Sequence, residues 1–301
     1  MKKFSIYLLL TLPLGLIACL EDSRLIDATG VFEATEIIVS AESGGRVLSL
    51  DISEGDELKK ATAVGQIDST QLHLSKLQLQ ASKIAVLSGR PDIHSQVEAT
   101  EREIAKWERE KKRVENLLAG DVATQKQLDD INAQLAILES KLNAQKSSLS
   151  TNVSSIDAQS ETIEIQIQQL NDQLERSVIR SPIDGTVLVK YAEAGEITAN
   201  GKALFKVADM DRMILRAFVT ADQLAPLTIG QSVQVFAEFG KSETRSYPGK
   251  INWISAQSEF TPKTIKTQDE RANLVYAIKV AVENDGLLKI GMYGGVNFSQ
   301  E

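Results

Sequence analysis

One side chain in this sequence invites covalent chemistry. Cys19 is the only cysteine among 301 residues, which excludes an internal disulfide framework and any multi-cysteine metal site. It closes the run Leu16-Ile17-Ala18-Cys19, which matches a lipobox, the bacterial signal for lipoprotein processing. Lys2-Lys3 followed by the mostly apolar stretch Phe4–Ala18 reads as a secretory signal, too short to span a bilayer comfortably. Cleavage before Cys19 is expected, leaving 283 residues that begin with a lipidated cysteine. More than one acyl chain gives stable anchoring in a membrane. Leu20 follows, without the Asp that often retains lipoproteins at the inner membrane, so the sequence does not choose between inner and outer membrane.

No other group of residues points to chemistry. His73 and His94 stand alone, on or beside a helical stretch, and the four methionines make no metal-binding run. There is no G-x-x-x-x-G-K-[ST] loop, no H-E-x-x-H and no G-x-S-x-G. Glu101, Glu103, Glu108 and Glu110 alternate with Lys and Arg, as on a solvated helix face. A net charge of −8 and a pI near 5.1 argue against nucleic-acid binding. The sequence therefore predicts no enzyme, no catalytic residue, no metal and no cofactor.

What remains to explain is a pair of long helices. From Leu128 an apolar seam runs through Ile131, Leu135, Leu138, Leu142, Gln145, Leu149, Val153, Ile156, Ser160, Ile163, Ile167, Leu170 and Leu174, with twelve of fourteen positions apolar. Steps of three and four define a heptad stripe buried against one partner helix. The four-four step around Leu149 is a stutter. The partner reads Ile93, Val97, Thr100, Ile104, Trp107, Lys111, Val114 and Leu118, and an earlier piece, Leu74, Leu77, Ala81, Ile84 and Leu87, is assigned to the same arm. Ser88-Gly89-Arg90-Pro91 predicts a break between the two pieces. Gly120 stops the arm, and Thr124 with Gln127 forms a capping box for the return helix. The arms are therefore antiparallel, and an arm of roughly fifty residues spans about 75 Å at 1.5 Å per residue.

The segments flanking the hairpin repeat each other at an offset of 140 residues: Gly45 with Gly185, Val47 with Val187, Gly55 with Gly195, Val64 with Leu204 and Ile67 with Val207. Short apolar runs separated by Gly turns read as strands. Each half is too small to fold alone, so the two complete one β-sandwich interrupted by the hairpin. Asp68, with Gln71 three residues on, is expected to cap the first arm. The pattern resembles a lipoyl or biotinyl carrier domain cut at its middle turn, with helices where the modified Lys would stand. Beyond Met210 the helical rhythm ends; runs at 213–219, 232–237, 249–254 and 274–282 read as strands of a small barrel, with a short helix near Ala221–Ala225. The chain at 30–40 is expected to return beside the last strands.

The fold class is thus α+β: a long antiparallel α-helical coiled-coil hairpin inserted in a split lipoyl-like β-sandwich, followed by a C-terminal β-barrel. The expected divisions are 1–18 signal peptide, 19–40 anchor linker and base strand, 41–68 and 177–208 half-sandwiches, 69–176 hairpin, and 209–301 barrel and membrane-proximal region. This order of parts resembles the HlyD-type periplasmic adaptors, or membrane fusion proteins. Phe260 onward (FTPKTIKTQDERANLVYAIKV) and the SGRPDI interruption are similar to the YbhG-like branch associated with ABC exporters. The resemblance implies an adaptor linking an inner-membrane exporter, of ABC or RND type, to a TolC-type outer-membrane channel, with self-association into a ring. It also implies a channel-contacting Arg-x3-Leu-x6-Ser motif at the hairpin tip. Arg113, Leu117 and Thr124 hold that spacing, with Thr for Ser and with Asp129 at the acidic position that follows. Ala61 stands where such adaptors usually have Gly. The alternative is a structural coiled-coil lipoprotein that spaces envelope layers, which gives no reason for the tip residues to stand in register.

Overall fold

Hydrogen bonding across the repeat makes the interrupted sandwich visible. The computed structural model describes residues 26–240, 244–259 and 274–298; Cys19, the signal stretch and residues 260–273 lie outside them. In chain order the elements are β1 (Ala28–Ser40), β2 (Gly45–Leu50), β3 (Glu57–Leu58), β4 (Ala63–Ile67), α1 (Thr70–Ser88), α2 (Ile93–Ala119), α3 (Gln125–Arg176), β5 (Val178–Arg180), β6 (Gly185–Lys190), β7 (Ile197–Thr198), β8 (Ala203–Thr220), α4 (Ala221–Leu224), β9 (Ser232–Glu238), β10 (Thr244–Glu259), β11 (Val275–Glu283) and β12 (Tyr293–Asn297). Two compact units result: Ile37–Val207, and the chain before and after it.

In the first unit the two half-sandwiches exchange equivalent bonds. Gly55 N–H donates to the Val187 carbonyl at 2.8 Å, and Gly195 N–H donates to the Val47 carbonyl at 2.7 Å. Val47 N–H reaches the Glu196 carbonyl while Val187 N–H reaches that of Asp56. Glu57 pairs with Thr186 as Ile197 pairs with Arg46. Each relation maps onto its twin by the 140-residue offset, so each half satisfies the other's backbone. Between them Val47, Ile67, Val187, Leu204, Phe205 and Val207 are buried as one core. Ala61 adopts φ 65°, matching Gly201 at φ 86°. The turn is kept, at the roughly 1–2 kcal/mol that a left-handed conformation costs an L residue.

The hairpin leaves this sandwich between Ile67 and Val178. Helix α3 is 52 residues long, about 78 Å at 1.5 Å per residue. All fourteen of its seam positions are buried or half-buried, so the heptad reading holds along its length. The inner arm breaks where Ser88-Gly89-Arg90-Pro91 places it, and α2 restarts after Asp92, whose carboxylate accepts from the backbone N–H of His94 and Ser95. Asp92, not Pro91, therefore starts the second piece.

Two expectations need correction. Helix α1 begins at Thr70 with Ser69 as its N-cap, not with Asp68; Asp68 instead accepts from the Thr70 N–H at 3.0 Å, one step outside the helix. More consequentially, the α1 stripe assigned to the seam faces away from it: Leu74, Leu77, Ile84 and Leu87 are 52%, 48%, 70% and 38% exposed. The positions turned toward α3 are Leu72, Lys76, Leu79, Lys83 and Val86, all half-buried. The lysine stems cover the seam while the Lys83 ammonium reaches Glu164 at 2.7 Å. That ion pair lies on the stripe that meets α3, beside Leu79 and Val86.

In the second unit the strand order is β1-β12-β9-β10-β11-β8, and β1 also pairs with β8. Phe32, Leu215, Val235, Ile251, Ile278 and Leu288 are among the residues buried between these strands. Gly30 is required where β1 meets β8, since a Cβ there would lie 2.0 Å from the Arg216 carbonyl oxygen. Residues 28–31 pair with β12, through Thr29↔Gly295 and Val31↔Tyr293, so only the start of the stretch expected beside the last strands lies on that ladder. Thr220 caps α4 through a capping box with Gln223.

Candidate functional site

The hairpin tip is built by three local devices. Helix α2 ends at Ala119, and the Gly120 and Val122 N–H groups both return to the Leu117 carbonyl, at 3.2 and 2.9 Å. The left-handed residue that closes the turn is Asp121, at φ 58°, rather than Gly120; Asp tolerates this conformation better than most residues. Thr124 then starts α3: its hydroxyl accepts from the Gln127 N–H and the Gln127 side chain accepts from the Thr124 N–H at 2.9 Å, the capping box read from the sequence.

The turn brings Arg113, Leu117 and Thr124 to one end of the hairpin. Arg113 is exposed and held along its own helix by Glu110. This pairing lowers the Glu110 pKa and raises that of Arg113, so both stay charged at any physiological pH. In full solvent such a pair is weak, and a partner acceptor can replace it. Leu117 is half-buried, more covered than its place in the motif suggests, and Thr124 is exposed. Asp129 accepts from the Gln125 amide at 2.9 Å on the first turn of α3.

The sequence motif passed over the most exposed apolar residue of the tip. Val122 is 75% exposed. The only signal for it was an apolar residue inside a Gly-Asp-x-Ala-Thr turn, where polar residues are the rule. Below the tip, Ile104, Val114, Ile131, Leu135 and Leu138 form a core against which Ala123 of the turn packs, so Val122 is presented on a supported platform.

Among the described residues no three His, Cys, Asp or Glu side chains cluster as a metal site, and no helix is long and apolar enough to cross a membrane. His73 and His94 are both exposed.

Residues 35–209 match the family described as CzcB-like, barrel-sandwich hybrid domain. A UPF0194 membrane protein of Yersinia pseudotuberculosis serotype IB (strain PB1/+) is 30% identical over 279 residues, covering 85% of this chain and 84% of its own. The chain belongs to the CzcB-like barrel-sandwich hybrid family and is related to the UPF0194 membrane proteins. The same fold occurs in the crystal structure of MacA from Actinobacillus actinomycetemcomitans, at TM-score 0.54 and 21% identity over 89% of this chain and 76% of that one. It occurs also in a MacA–MexA chimera containing the Pseudomonas aeruginosa MexA α-hairpin domain, at TM-score 0.52 and 20% identity over 90% and 81%.

Proposed function

We propose that this chain is the periplasmic adaptor of a multi-component exporter, lipid-anchored through Cys19, ring-forming, and linking an inner-membrane pump to a TolC-type outer-membrane channel. An ABC-type pump is favoured over an RND pump by the likeness of the 260–280 run and the SGRPDI break to the YbhG-like branch. Residues 41–68 and 177–208 act as a lipoyl-like base, 69–176 as the reach device, and 209–301 as a β-barrel and membrane-proximal part. The pairing of β1 with both β12 and β8 supports the barrel reading. No catalysis is assigned; the protein works by assembly.

The observation that carries this reading is the tip. A spacer between envelope layers has no use for an exposed valine flanked by an exposed arginine and a capped hydroxyl at the far end of a long hairpin. Val122 and Leu117 supply apolar area, Arg113 a fork of donors for carboxylate or carbonyl acceptors, and Thr124 a hydroxyl. Thr124 also caps α3, so Thr124→Ala confounds contact with a loss of about 1 kcal/mol in the hairpin. Val122→Asp is the cleaner test because the side chain is mostly in solvent. It is expected to abolish export while thermal stability and pump co-purification stay at the parent level, and Leu117→Asp is expected to do the same with a modest fall in melting temperature. Export that survives both substitutions refutes the tip contact. Cys19→Ala is expected to leave an unlipidated precursor, read by intact mass.

A further inference from the structure

The outer face of the second unit, where β10, β11 and β8 run side by side, carries a hollow that the adaptor reading does not use. Ile251, Val280 and Leu215 point inward and are buried, so the residues that alternate with them point out. The ladders set these in rows: Lys250 opposite Ala281 and Ala281 opposite Ile214, Trp253 opposite Lys279 and Lys279 opposite Arg216, Glu283 opposite Arg212. Ala281 is small and stands between two long side chains, Lys250 and Ile214, which leaves the middle row sunken. The hollow measures about 440 Å³ and is lined by Arg212, Pro248, Lys250, Ala281 and Glu283 among others. Two strand spacings make it about 10 Å across, and Lys279 to Glu283 spans about 13 Å along β11.

The cations of this face are unequally satisfied. Arg212 pairs with Asp209 and has Glu283 across the ladder, and Arg216 pairs with Glu33 and Glu259. Lys250 and Lys279 have neither an ion pair nor a hydrogen-bond acceptor among the described residues. Lys279 is half-buried, and its ammonium meets only the Trp253 ring, whose centroid is 5.5 Å away. It also stands directly opposite Arg216, and like charges so placed on a ladder oppose its pairing. Trp253 itself is 41% exposed. An ammonium without an acceptor, partly withdrawn from water and set between an exposed indole and a small-residue hollow, is suited to an anion attached to something apolar.

We infer that this hollow binds a single anionic amphiphile, its carboxylate or sulfate held by Lys279 and Lys250 and its short acyl chain or fused ring laid over Ala281 and Pro248 beside Trp253. Charge complementarity selects the head: two ammonium groups without acceptors stand at one end, while Arg212 and Glu283 at the other offset each other. Size selects the body, since 440 Å³ lies within the range of about 300–1,000 Å³ that small-molecule sites occupy and is too small for a folded partner. The inference is independent of the tip and of the anchor. It adds a ligand to a protein otherwise read as working by assembly.

The test is a titration of the full chain with monomeric decanoate, followed by tryptophan emission. Trp107 and Trp253 are the two tryptophans, so Trp107→Phe leaves Trp253 as the reporter. Decanoate is expected to shift its emission saturably, with decanol binding about tenfold more weakly and decylamine giving no shift. Ala281→Leu fills the hollow and Lys279→Gln removes the charge. Each is expected to weaken decanoate by about tenfold or more at an unchanged melting temperature, whereas Lys289→Gln, whose ammonium is held by the Gly286 carbonyl, is expected to be silent. Lys279→Gln decides the matter if Ala281→Leu fails to fold. Decanol that binds as tightly as decanoate, or decanoate affinity indifferent to Lys279→Gln, overturns the site. A response to vesicles of phosphatidylglycerol with none to monomeric decanoate reports a membrane surface and overturns it too.

Discussion

The two halves of the hairpin use the same helical period to opposite ends. In the tip half, α2 and α3 bury Val97, Ile104, Val114, Ile131, Leu135 and Leu138 between them and turn a charged edge outward. In the base half, α1 has no buried residue at all, meets α3 through a seam containing two lysines, and turns Leu74, Leu77 and Leu87 to solvent. The tip half is thus stabilised by its own packing. The base half is stabilised by ion pairs and by its attachment to the sandwich, where the Gln66 amide donates to the Ser177 hydroxyl at 3.0 Å and Arg176 lies 3.7 Å from Glu42. A half that leaves its best apolar stripe uncovered is arranged for contact with something outside the chain.

The largest effect that separates the halves comes from truncating their seams. Leu135→Ala should destabilise the hairpin by roughly 2–4 kcal/mol through the cavity it leaves, whereas Leu79→Ala in the half-buried α1 seam should cost about 1 kcal/mol or less. Urea melts followed at 222 nm measure both, and equal losses break the comparison. Replacing Lys76 and Lys83 together by Leu should tighten α1 on α3, since a well-packed apolar pair can equal or exceed an ion pair. Slower amide exchange across α1, by several-fold, with α2 unchanged, is the expected readout; faster exchange would mean that the Glu164 contact holds α1 in place.

Smaller effects sharpen the contrast. Ala61→Gly removes the left-handed strain in the sandwich turn but loosens the unfolded chain, leaving a net gain of up to about 1 kcal/mol; the sandwich melt should rise while exchange in both hairpin halves stays put. Acid should act weakly and at both ends of the hairpin. Asp92 is depressed by the Ser95 hydroxyl and the Ser95 and His94 backbone, Glu101 by Lys146 and Glu110 by Arg113, and at the base Asp68 is depressed by the Thr70 backbone N–H and hydroxyl. A carboxylate depressed in the folded state contributes stability that is present above its unfolded pKa near 4 and is lost as pH falls through the folded value. A small loss of helicity below pH 4 is expected, and Asp92→Ala should reduce it; helicity that is unchanged between pH 7 and pH 3 would refute the assignment.

Much of this was legible in residue order. The α3 seam, the α2 seam, the Ser88–Pro91 break, the Thr124 capping box and the pairing of Val47 with Val187 all follow from periodicity and local turn chemistry. Those are properties of neighbouring residues, or of a repeat that aligns without gaps. Strand β12 escaped notice because Tyr293-Gly-Gly-Val-Asn lacks an alternating apolar pattern and exists as a strand through its ladder to β1 and β9.

The sequence alone determined which residues of α1 share a face: two apolar stripes are written there, and nothing in 70–88 ranks them for burial. The tertiary structure decided between them: the stripe that meets α3 is the one carrying Lys83, with Glu164, some eighty residues away, standing opposite it. The same holds at the tip. The sequence placed Arg113, Leu117 and Thr124 around a turn, but the fold decided that Leu117 tucks in, Asp121 takes the left-handed position and Val122 is left in solvent. Periodicity fixes which side chains travel together; what stands across from them is set by distant chain, and that alone decides which of them are covered.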